Sequence, residues 1–401
     1  MRLRALSTAP IRRVNTNLVF WQNMLSPHQA PYIRALADGP HHSVTVIAED
    51  DLSADRQALG WVAGSYGQAT VIVHPSKHLL KQYLDAAQQE RVHIFGGFHR
   101  RGLLGMAQRH VTSTGQRCGI VSEAADGVGI AHWARLPKYV CQRMLLGSQI
   151  DFILAIGSCG VRWFRTCGHP VDKVFPFLYV VDLPSGSSAL DPRYDRFLRP
   201  TAAVDILFVG RCQPTKGLTT LLEALSDCRG ADWSCTLLGA NATSYAWSST
   251  ARFLGIGDKI EFHEAVPNQI VREKIAKADL LVLPSVGKEG WGAVVNEALL
   301  QGVPVIASHV CGAADLLSEP WRGSVVRAGS RTELSDALRS WIRIGKKTPE
   351  TTQRIQSWAS CISPDSVAEY VSRILCHVYG GTQRPTAPWP TTEPIRSVQR
   401  N

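Results

Sequence analysis

Two glutamates stand out in residues 288–308, KEGWGAVVNEALLQGVPVIAS, because their neighbours are mostly small or apolar. Glu289 and Glu297 have seven residues between them, and Gly290 and Gly292 flank Trp291. Glycine lets a ligand approach the backbone amides closely, and carboxylates accept hydrogen bonds from hydroxyl groups. The pattern predicts a site for a ligand that carries several hydroxyls.

Glu297 falls in a predicted helix over residues 293–301, among Val294, Val295, Ala298 and Leu299. An unpaired carboxylate is costly in such surroundings. A nearby Lys or Arg would satisfy it, as would a ligand with two adjacent hydroxyls, such as a ribose. The spacing to the first glutamate is about two helical turns, which predicts that both carboxylates lie on one face.

A second charged group lies in GRCQPTKG, residues 210–217, between a predicted buried strand and an amphipathic helix. Arg211 and Lys216 at such a turn, beside Gly210 and Gly217, suit a diphosphate. The Gly-x4-Gly-Lys-Ser/Thr spacing of a P-loop is absent. The alternative is that both cations are ordinary solvated surface charges.

The elements that must position these residues alternate between short β-branched runs and helix-length amphipathic stretches, which is typical of parallel βαβ units. The predicted strands are 17–22, 44–48, 70–73, 92–95, 119–122 and 152–156, then 205–210, 235–239, 260–263, 279–284, 303–308 and 323–326. We therefore predict an α/β protein with two Rossmann-like, doubly wound parallel sheets facing each other across a cleft. Loops that follow the strands line such a cleft.

The boundary between the two sets of strands is a stretch rich in Pro, Gly and Ser. We predict a first domain over 1–185, a linker over 186–203 and a second domain over 204–362. Ser363 as N-cap and Pro364 at the first helical position predict a helix over 363–380. Residues 381–401 lack an apolar period and are predicted to be a disordered tail.

The composition is that of a globular enzyme, with no apolar run long enough to span a membrane and no secretory leader at the start, so a cytoplasmic location is expected. The ten cysteines are scattered, which predicts free thiols and no metal site. Residues 1–200 carry 22 Lys and Arg against 14 Asp and Glu, so the first half faces an anionic partner. No nucleic-acid-binding signature is present. A phospholipid surface or a phosphorylated acceptor fits the charge.

The motifs GRCQPTKG and EGWGAVVNEALLQGVPVIA (289–307), followed by the turn CGAADLL (311–317), resemble those of glycosyltransferase family 4, the retaining enzymes of GT-B fold. The resemblance covers the second domain well and the first only loosely. It implies transfer of a sugar from a nucleotide-diphosphate donor to a hydroxyl of a glycan or a lipid-linked glycan. No Asp-x-Asp occurs in the chain, so a metal bridging the diphosphate is not indicated.

The resemblance implies a role for each motif residue. Arg211 and Lys216 hold the diphosphate, where fixed cations lower the barrier to its departure. Glu297 binds the ribose, and Glu289 holds hydroxyls of the sugar. The implied donor site comprises Gly210, Arg211, Lys216, Glu289, Gly290, Trp291, Gly292, Val294 and Glu297. The fold also implies that the helix over 363–380 crosses back to the first domain.

The first domain departs from the pattern. The loop after its first strand, NMLSPHQAPYIRALA (23–37), lacks the glycines of an NAD site and contains His28. After the fifth strand the family often has a histidine, whereas this chain has Glu123. His99, in GGFHRR (96–101), is a further candidate for contact with the acceptor. A structural role is the alternative for His28, and a solvated surface is the alternative for Arg100 and Arg101.

Two basic segments with apolar and aromatic residues, 100–110 and 132–147, have the composition of interfacial helices. Packing into the core explains their apolar residues equally well. Attachment to the surface of an anionic membrane is therefore one hypothesis for the first domain.

Two other functions fit the same cleft. A nucleotide-sugar 2-epimerase would use the donor site and needs no acceptor. A non-catalytic subunit would bind the nucleotide sugar without transferring it. We expect no cofactor in the transferase.

Overall fold

Two parallel sheets form the framework of the computed structural model, which describes residues 16–53, 57, 64–85, 91–99, 101–125, 134–182, 202–287 and 289–390. The strands of the first sheet are β1 (Thr16–Met24), β2 (His42–Asp50), β3 (Thr70–Val73), β4 (Arg91–Phe95), β5 (Arg117–Ser122), β6 (Phe152–Ile156) and β7 (Val174–Phe177). Those of the second are β8 (Val204–Val209), β9 (Trp233–Leu238), β10 (Ile260–His263), β11 (Leu280–Leu283), β12 (Val305–Ser308) and β13 (Gly323–Val326). The predicted pair of Rossmann-like sheets is confirmed.

Each sheet has a point where its strand order reverses. The orders are β3-β2-β1-β4-β5-β6-β7 and β10-β9-β8-β11-β12-β13. The chain builds one side of the central strand and then the other, so the reversals fall between β1 and β4 and between β8 and β11. Open parallel sheets bind ligands at the carboxyl ends of the strands beside such a reversal.

Helices cover the strands on both faces, which explains why the strands are nearly continuous apolar runs. In β1, for example, Leu18, Val19, Phe20 and Trp21 are all buried. The described helices are Ala30–Asp38, Lys77–Asp85, Gly102–Ser113, Leu136–Leu146, Gly157–Thr166, Leu218–Ser226, Tyr245–Phe253, Asn268–Lys277, Ala293–Leu300, Arg331–Ile344, Pro349–Ala359 and Pro364–Gly380. Among the described residues, no helix is both long enough and apolar enough to span a membrane.

Strand β7 escapes prediction from the sequence because Pro176 interrupts the short apolar run VFPF. Proline cannot donate to a strand ladder and is tolerated at a sheet edge. β7 is the outermost strand of the first sheet, next to β6. Its position at the edge thus accounts for the missed strand.

The helix Pro364–Gly380 packs on the first domain. The Ser363 hydroxyl caps it by accepting from the N–H of Ser366 at 3.3 Å. The Tyr379 hydroxyl donates to the carboxylate of Asp151 at 2.8 Å. On the same helix, Ser372 Oγ lies 3.0 Å from Nε2 of His42.

The chain remains ordered beyond this helix, although a disordered tail was predicted from residue 381. Trp389 is buried against Tyr370, with the ring centroids 5.4 Å apart. The Arg384 guanidinium donates to the carbonyls of Asp172 and Val174 at 2.6 and 2.8 Å. Packing of these two side chains orders residues 381–390. Residues 186–201 of the predicted linker and 391–401 of the predicted tail lie outside the described residues.

Candidate active site

The turn that carries Lys216 follows β8 and is fixed against the loop that follows β11. A short 3-10 turn, Pro214–Lys216, ends at Gly217, which has φ +73°. A Cβ at Gly217 would lie 2.0 Å from the carbonyl oxygen of Pro284, so only glycine fits there. The N–H of Val286 donates to the carbonyl of Thr215 at 2.9 Å, which ties the two loops together.

Lys216 and Glu289 form an ion pair at the carboxyl edge of the second sheet. Each side chain is 18% exposed. The Ser285 hydroxyl donates to the same carboxylate oxygen at 3.0 Å. The two loops meet because β8 and β11 are neighbours at the reversal of strand order. A predicted phosphate-binding cation and a predicted sugar-binding carboxylate therefore lie side by side.

Glu289 and Glu297 do not share a helix, so the prediction that they occupy one helical face is wrong. The helix that carries Glu297 spans Ala293–Leu300. Gly292 precedes it with φ +89°, a left-handed conformation that ends the loop and starts the helix. Glu289 therefore projects from the loop, and only Glu297 projects from the helix.

Glu297 is half-buried, and burial raises the pKa of its carboxyl group to about 7. Arg272, on the helix Asn268–Lys277, opposes this shift through its positive charge. Nε of Arg272 is buried and has no hydrogen-bond partner among the described residues. We did not predict Arg272 from the sequence. The signal in the sequence that points to Arg272 is a cation shortly after the loop that follows β10.

The remaining predicted donor residues lie on the same two loops or in the first turn of the helix that follows the second loop. Gly210 and Arg211 directly follow β8, and the Arg211 side chain is exposed. Arg211 is not part of the ion pair between Lys216 and Glu289. Val294 lies in the first turn of the helix Ala293–Leu300 and is partly buried.

Trp291 is a buried link between the two domains. Its side chain is 2% exposed, and the indole N–H donates to Oδ1 of Asn296 at 2.8 Å. The Asn296 amide in turn donates to the carbonyl of Tyr179, in the first domain, at 2.9 Å. Asn296 was not predicted, although an asparagine inside an apolar helix signals a buried polar contact.

A second link joins the turn CGAADLL to the first domain. Asp315 accepts from the N–H of Ser158 at 2.7 Å and from its hydroxyl at 3.0 Å. Ser158 lies at the N-terminus of the helix Gly157–Thr166, where a negative charge is favoured by the helix dipole. The two links hold the domains with their cleft edges close together.

The structure brings Glu123 and His28 together around Tyr179. The Tyr179 hydroxyl donates to Oε1 of Glu123. The Tyr179 ring stacks on His28, with centroids 5.2 Å apart and an interplanar angle of 15°. A Cβ at Gly290 would lie 2.4 Å from Oε2 of Glu123, so this carboxylate touches the loop that carries Glu289. Tyr179 lies just beyond the unpredicted strand β7, so no sequence pattern pointed to it.

His99 is not part of this cluster. Its backbone N–H donates to Oε1 of Gln108 at 2.8 Å. Burial lowers the pKa of its imidazole, and Nε2 is buried with no hydrogen-bond partner in the part of the chain that the structure describes. Gln108 lies on the helix Gly102–Ser113, so the backbone of His99 is held by that helix.

A family match covers the second domain. Residues 195–358 match the model of the family described as Glycosyl transferases group 1. The resemblance drawn from the motifs is thereby confirmed, and the chain carries a domain of this family.

Individual proteins give the same picture. The chain is 31% identical over 170 residues to a D-inositol 3-phosphate glycosyltransferase of Corynebacterium glutamicum (strain R); the match covers 39% of this chain and 40% of that protein. The chain thus spans about two fifths of that relative's length.

Solved structures extend the likeness to both domains. A glycosyltransferase from Rickettsia africae ESF-5 has a TM-score of 0.67 and 14% identity, over 92% of this chain and 100% of that one. Anabaena Alr3699/HepE, solved in complex with UDP, has a TM-score of 0.63 and 17% identity, over 90% and 99%. These likenesses show that the fold is GT-B.

Proposed function

We propose that the protein is a retaining, metal-independent glycosyltransferase. It takes a sugar from a nucleotide-diphosphate donor and passes it to a hydroxyl of a glycan or a lipid-linked glycan. The observation that carries the proposal is the Lys216–Glu289 pair, which lies at the reversal of strand order and next to Glu123 of the facing domain.

The pair has the arrangement that a sugar diphosphate requires. The sugar and the phosphate are joined through one oxygen, so the groups that hold them must be neighbours. In the structure the Lys216 ammonium and the Glu289 carboxylate neutralise each other. When the donor binds, the ammonium turns to the phosphate and the carboxylate accepts from sugar hydroxyls.

The same two residues then favour the reaction. Cleavage of the sugar–phosphate bond builds negative charge on the departing diphosphate, and a fixed cation in a site shielded from water stabilises that charge. Arg211, exposed on the same turn, adds a second cation. Glu297 accepts from the ribose hydroxyls. In the retaining scheme that the family resemblance implies, the leaving phosphate takes the acceptor's proton.

A thermal-shift screen with UDP, GDP and ADP, and with their sugars, tests donor binding. A ligand that binds only the native state raises its unfolding midpoint. We expect a shift for one nucleotide, and the shift should shrink in Lys216→Met. The matched control is Lys277→Met, at an exposed lysine in the last turn of the helix Asn268–Lys277. No shift with any nucleotide contradicts the proposal.

Product analysis separates the transferase from its two rivals. A new glycosidic product with the donor's anomeric configuration supports retention. An isomerised nucleotide sugar formed without acceptor favours the 2-epimerase. If Glu289→Gln folds and leaves cellular glycan synthesis intact, the non-catalytic subunit is favoured. Activity that persists in a strong chelator supports independence from metal.

We also propose that the first domain docks on an anionic membrane surface. On the helix Leu136–Leu146, Met144 and Leu145 are 74% and 64% exposed, beside Arg143. Lys138, on the same helix, is also exposed. Exposed apolar side chains among cations suit an interface with anionic lipid. The other basic helix, Gly102–Ser113, buries Leu104, Ala107 and Val111, so core packing explains its apolar residues.

Flotation with vesicles tests this docking. We expect the chain to bind phosphatidylcholine vesicles only when phosphatidylglycerol is added, and the double variant Met144→Ser/Leu145→Ser to lose most of that binding. Phe253→Ser is the matched control, because Phe253 is 89% exposed in the second domain. Equal loss in the control, or binding that ignores lipid charge, refutes the docking surface.

A further inference from the structure

A cavity of about 260 Å³ lies at the carboxyl ends of the first sheet's strands, beside the reversal between β1 and β4. Its volume is just below the roughly 300–1,000 Å³ of pockets for drug-sized ligands, so it fits about one ring-sized group. The polar side chains that line it and bear on its chemistry are Gln22, Ser26, Gln29, Ser122, Glu123 and Tyr179.

The amides of the cavity are held in fixed orientations. Nε2 of Gln22 donates to Oε1 of Gln29 at 3.1 Å. Oε1 of Gln22 accepts from the Tyr66 hydroxyl at 2.9 Å and from the N–H of Ser26 at 3.3 Å. With its carbonyl oxygen engaged, Gln29 presents its NH2 group. The cavity thus offers hydrogen-bond donors that need no rearrangement.

The acceptor on the opposite side is Glu123. The Tyr179 hydroxyl occupies Oε1 of this carboxylate. Oε2 faces Gly290, on the loop that carries the proposed sugar-binding Glu289. No lysine or arginine lines the cavity among the residues that the structure describes.

We infer that this cavity binds an uncharged polyol or sugar ring of the acceptor, and that Glu123 accepts a hydrogen bond from a hydroxyl of that ring next to the one that receives the donor sugar. The inference rests on the proposed function and specifies its acceptor. A hydroxyl both donates and accepts, so it matches a cavity that presents an amide donor and a carboxylate acceptor. A phosphate ester only accepts, and its charge is repelled by Glu123.

Position supports the role of Glu123. Because Glu123 touches Gly290, a hydroxyl bound to Oε2 lies next to the loop that holds the donor sugar. Tyr179 orients the carboxylate and is itself held by the Asn296 amide of the second domain, through its backbone carbonyl. Tyr179 is therefore a positioning residue.

Saturation-transfer NMR on the full chain tests the cavity without donor. The probes are myo-inositol, methyl α-glucoside and methyl α-mannoside, each paired with a monophosphate ester. The glycosides represent the end of a glycan, and myo-inositol represents a free polyol or a lipid headgroup. We expect the neutral member of at least one pair to bind roughly tenfold more tightly than its ester, because like charges repel strongly in such a site.

Two variants sharpen the result. Glu123→Gln keeps the shape but removes the charge, so the preference for the neutral probe should fall severalfold while nucleotide binding stays unchanged. Gln29→Leu should weaken the neutral probes. Preference for the esters, binding of neither series, or a preference that Glu123→Gln leaves intact overturns the inference. Failure to bind any nucleotide contradicts the proposed function instead, and that measurement is separate.

Discussion

The two walls of the cleft are built from the same kind of strand-end loop, but they carry different chemistry. On the second domain, Lys216 and Glu289 form an ion pair on loops locked together at Gly217. On the first domain, Glu123 pairs with no cation among the residues that the structure describes, and it accepts from the neutral hydroxyl of Tyr179. One wall suits a charged diphosphate, and the other suits hydroxyl groups.

The difference explains why only one wall has a readable motif. A cation next to a carboxylate suits a diphosphate next to a sugar, so these residue types can recur together at a fixed spacing. The acceptor wall draws Glu123, Tyr179 and His28 from three separate loops, and hydroxyl recognition can be met by many polar residues. A motif can therefore predict the donor side without predicting the acceptor.

Removing the Lys216 cation from the second domain should cause the largest loss of activity. We expect Lys216→Met to reduce kcat roughly 10²- to 10³-fold, the usual loss when one stabilising group for transition-state charge is deleted. The reason is that no fixed ammonium then meets the departing diphosphate. Steady-state rates of nucleotide release from the donor sugar measure it.

The control for this substitution is again Lys277→Met, which should keep the wild-type rate. Unfolding midpoints of both variants should show that each is folded. If Lys216→Met is folded and its kcat falls by less than about threefold, the diphosphate binds elsewhere. The second domain's side of the cleft would then not be the diphosphate site.

The sequence was sufficient for the sheets and for part of the site. Twelve of the thirteen strands that the structure describes follow from apolar runs, and β7 is missed because of Pro176 at the sheet edge. The ion pair between Lys216 and Glu289 agrees with the neighbouring roles that the family resemblance implies for them. The prediction that Glu289 and Glu297 lie on one helical face is wrong because Gly292 adopts a left-handed conformation, which the spacing does not reveal. Asn296 and Tyr179 are brought together only by docking of the domains, which no local pattern encodes.

The contact between the walls gives the next prediction. Gly290→Ala adds a Cβ that would lie 2.4 Å from Oε2 of Glu123, so the loop or the carboxylate must move. We expect a loss of transfer rate of roughly tens-fold, since displacing reacting groups by 1 Å can cost about 10²-fold. In a Glu123→Ala background, which lacks the clash, the same change should cost only a few-fold. A double-mutant cycle on initial rates measures this coupling.

If Gly290→Ala costs the same in both backgrounds, the two walls are independent, and the acceptor hydroxyl is not held beside the Glu289 loop. The matched control is Gly230→Ala, because a Cβ at Gly230 meets no atom within 4 Å and its φ is not positive. That variant should leave the rate unchanged.

The smallest expected effect is a pH dependence of donor binding, which should not extend to ligand binding by the first domain. Burial raises the pKa of Glu297 to about 7, against 4.5 for an ordinary glutamate. Ribose hydroxyls donate to the ionised form, so the ionised fraction limits donor binding. Between pH 6 and pH 8 that fraction rises from about a tenth to about nine tenths, and donor affinity should rise about tenfold. Calorimetric titration with the matching nucleoside diphosphate measures it, and Glu297→Gln should bind weakly with little pH dependence.

The pH dependence of folding stability provides an independent check, because its sign should be opposite to that of the pH dependence of donor affinity. Because the folded state holds the Glu297 proton more tightly than the unfolded chain, the neutral carboxyl contributes stability that is present below about pH 4.5 and is lost as pH rises through 7. Without nucleotide, the wild-type free energy of unfolding should therefore fall between pH 5 and pH 8 relative to that of Glu297→Gln. Polyol binding to the first domain should not follow this titration. If it does, or if donor affinity falls as pH rises, Glu297 does not serve the donor wall as an ionised ribose acceptor.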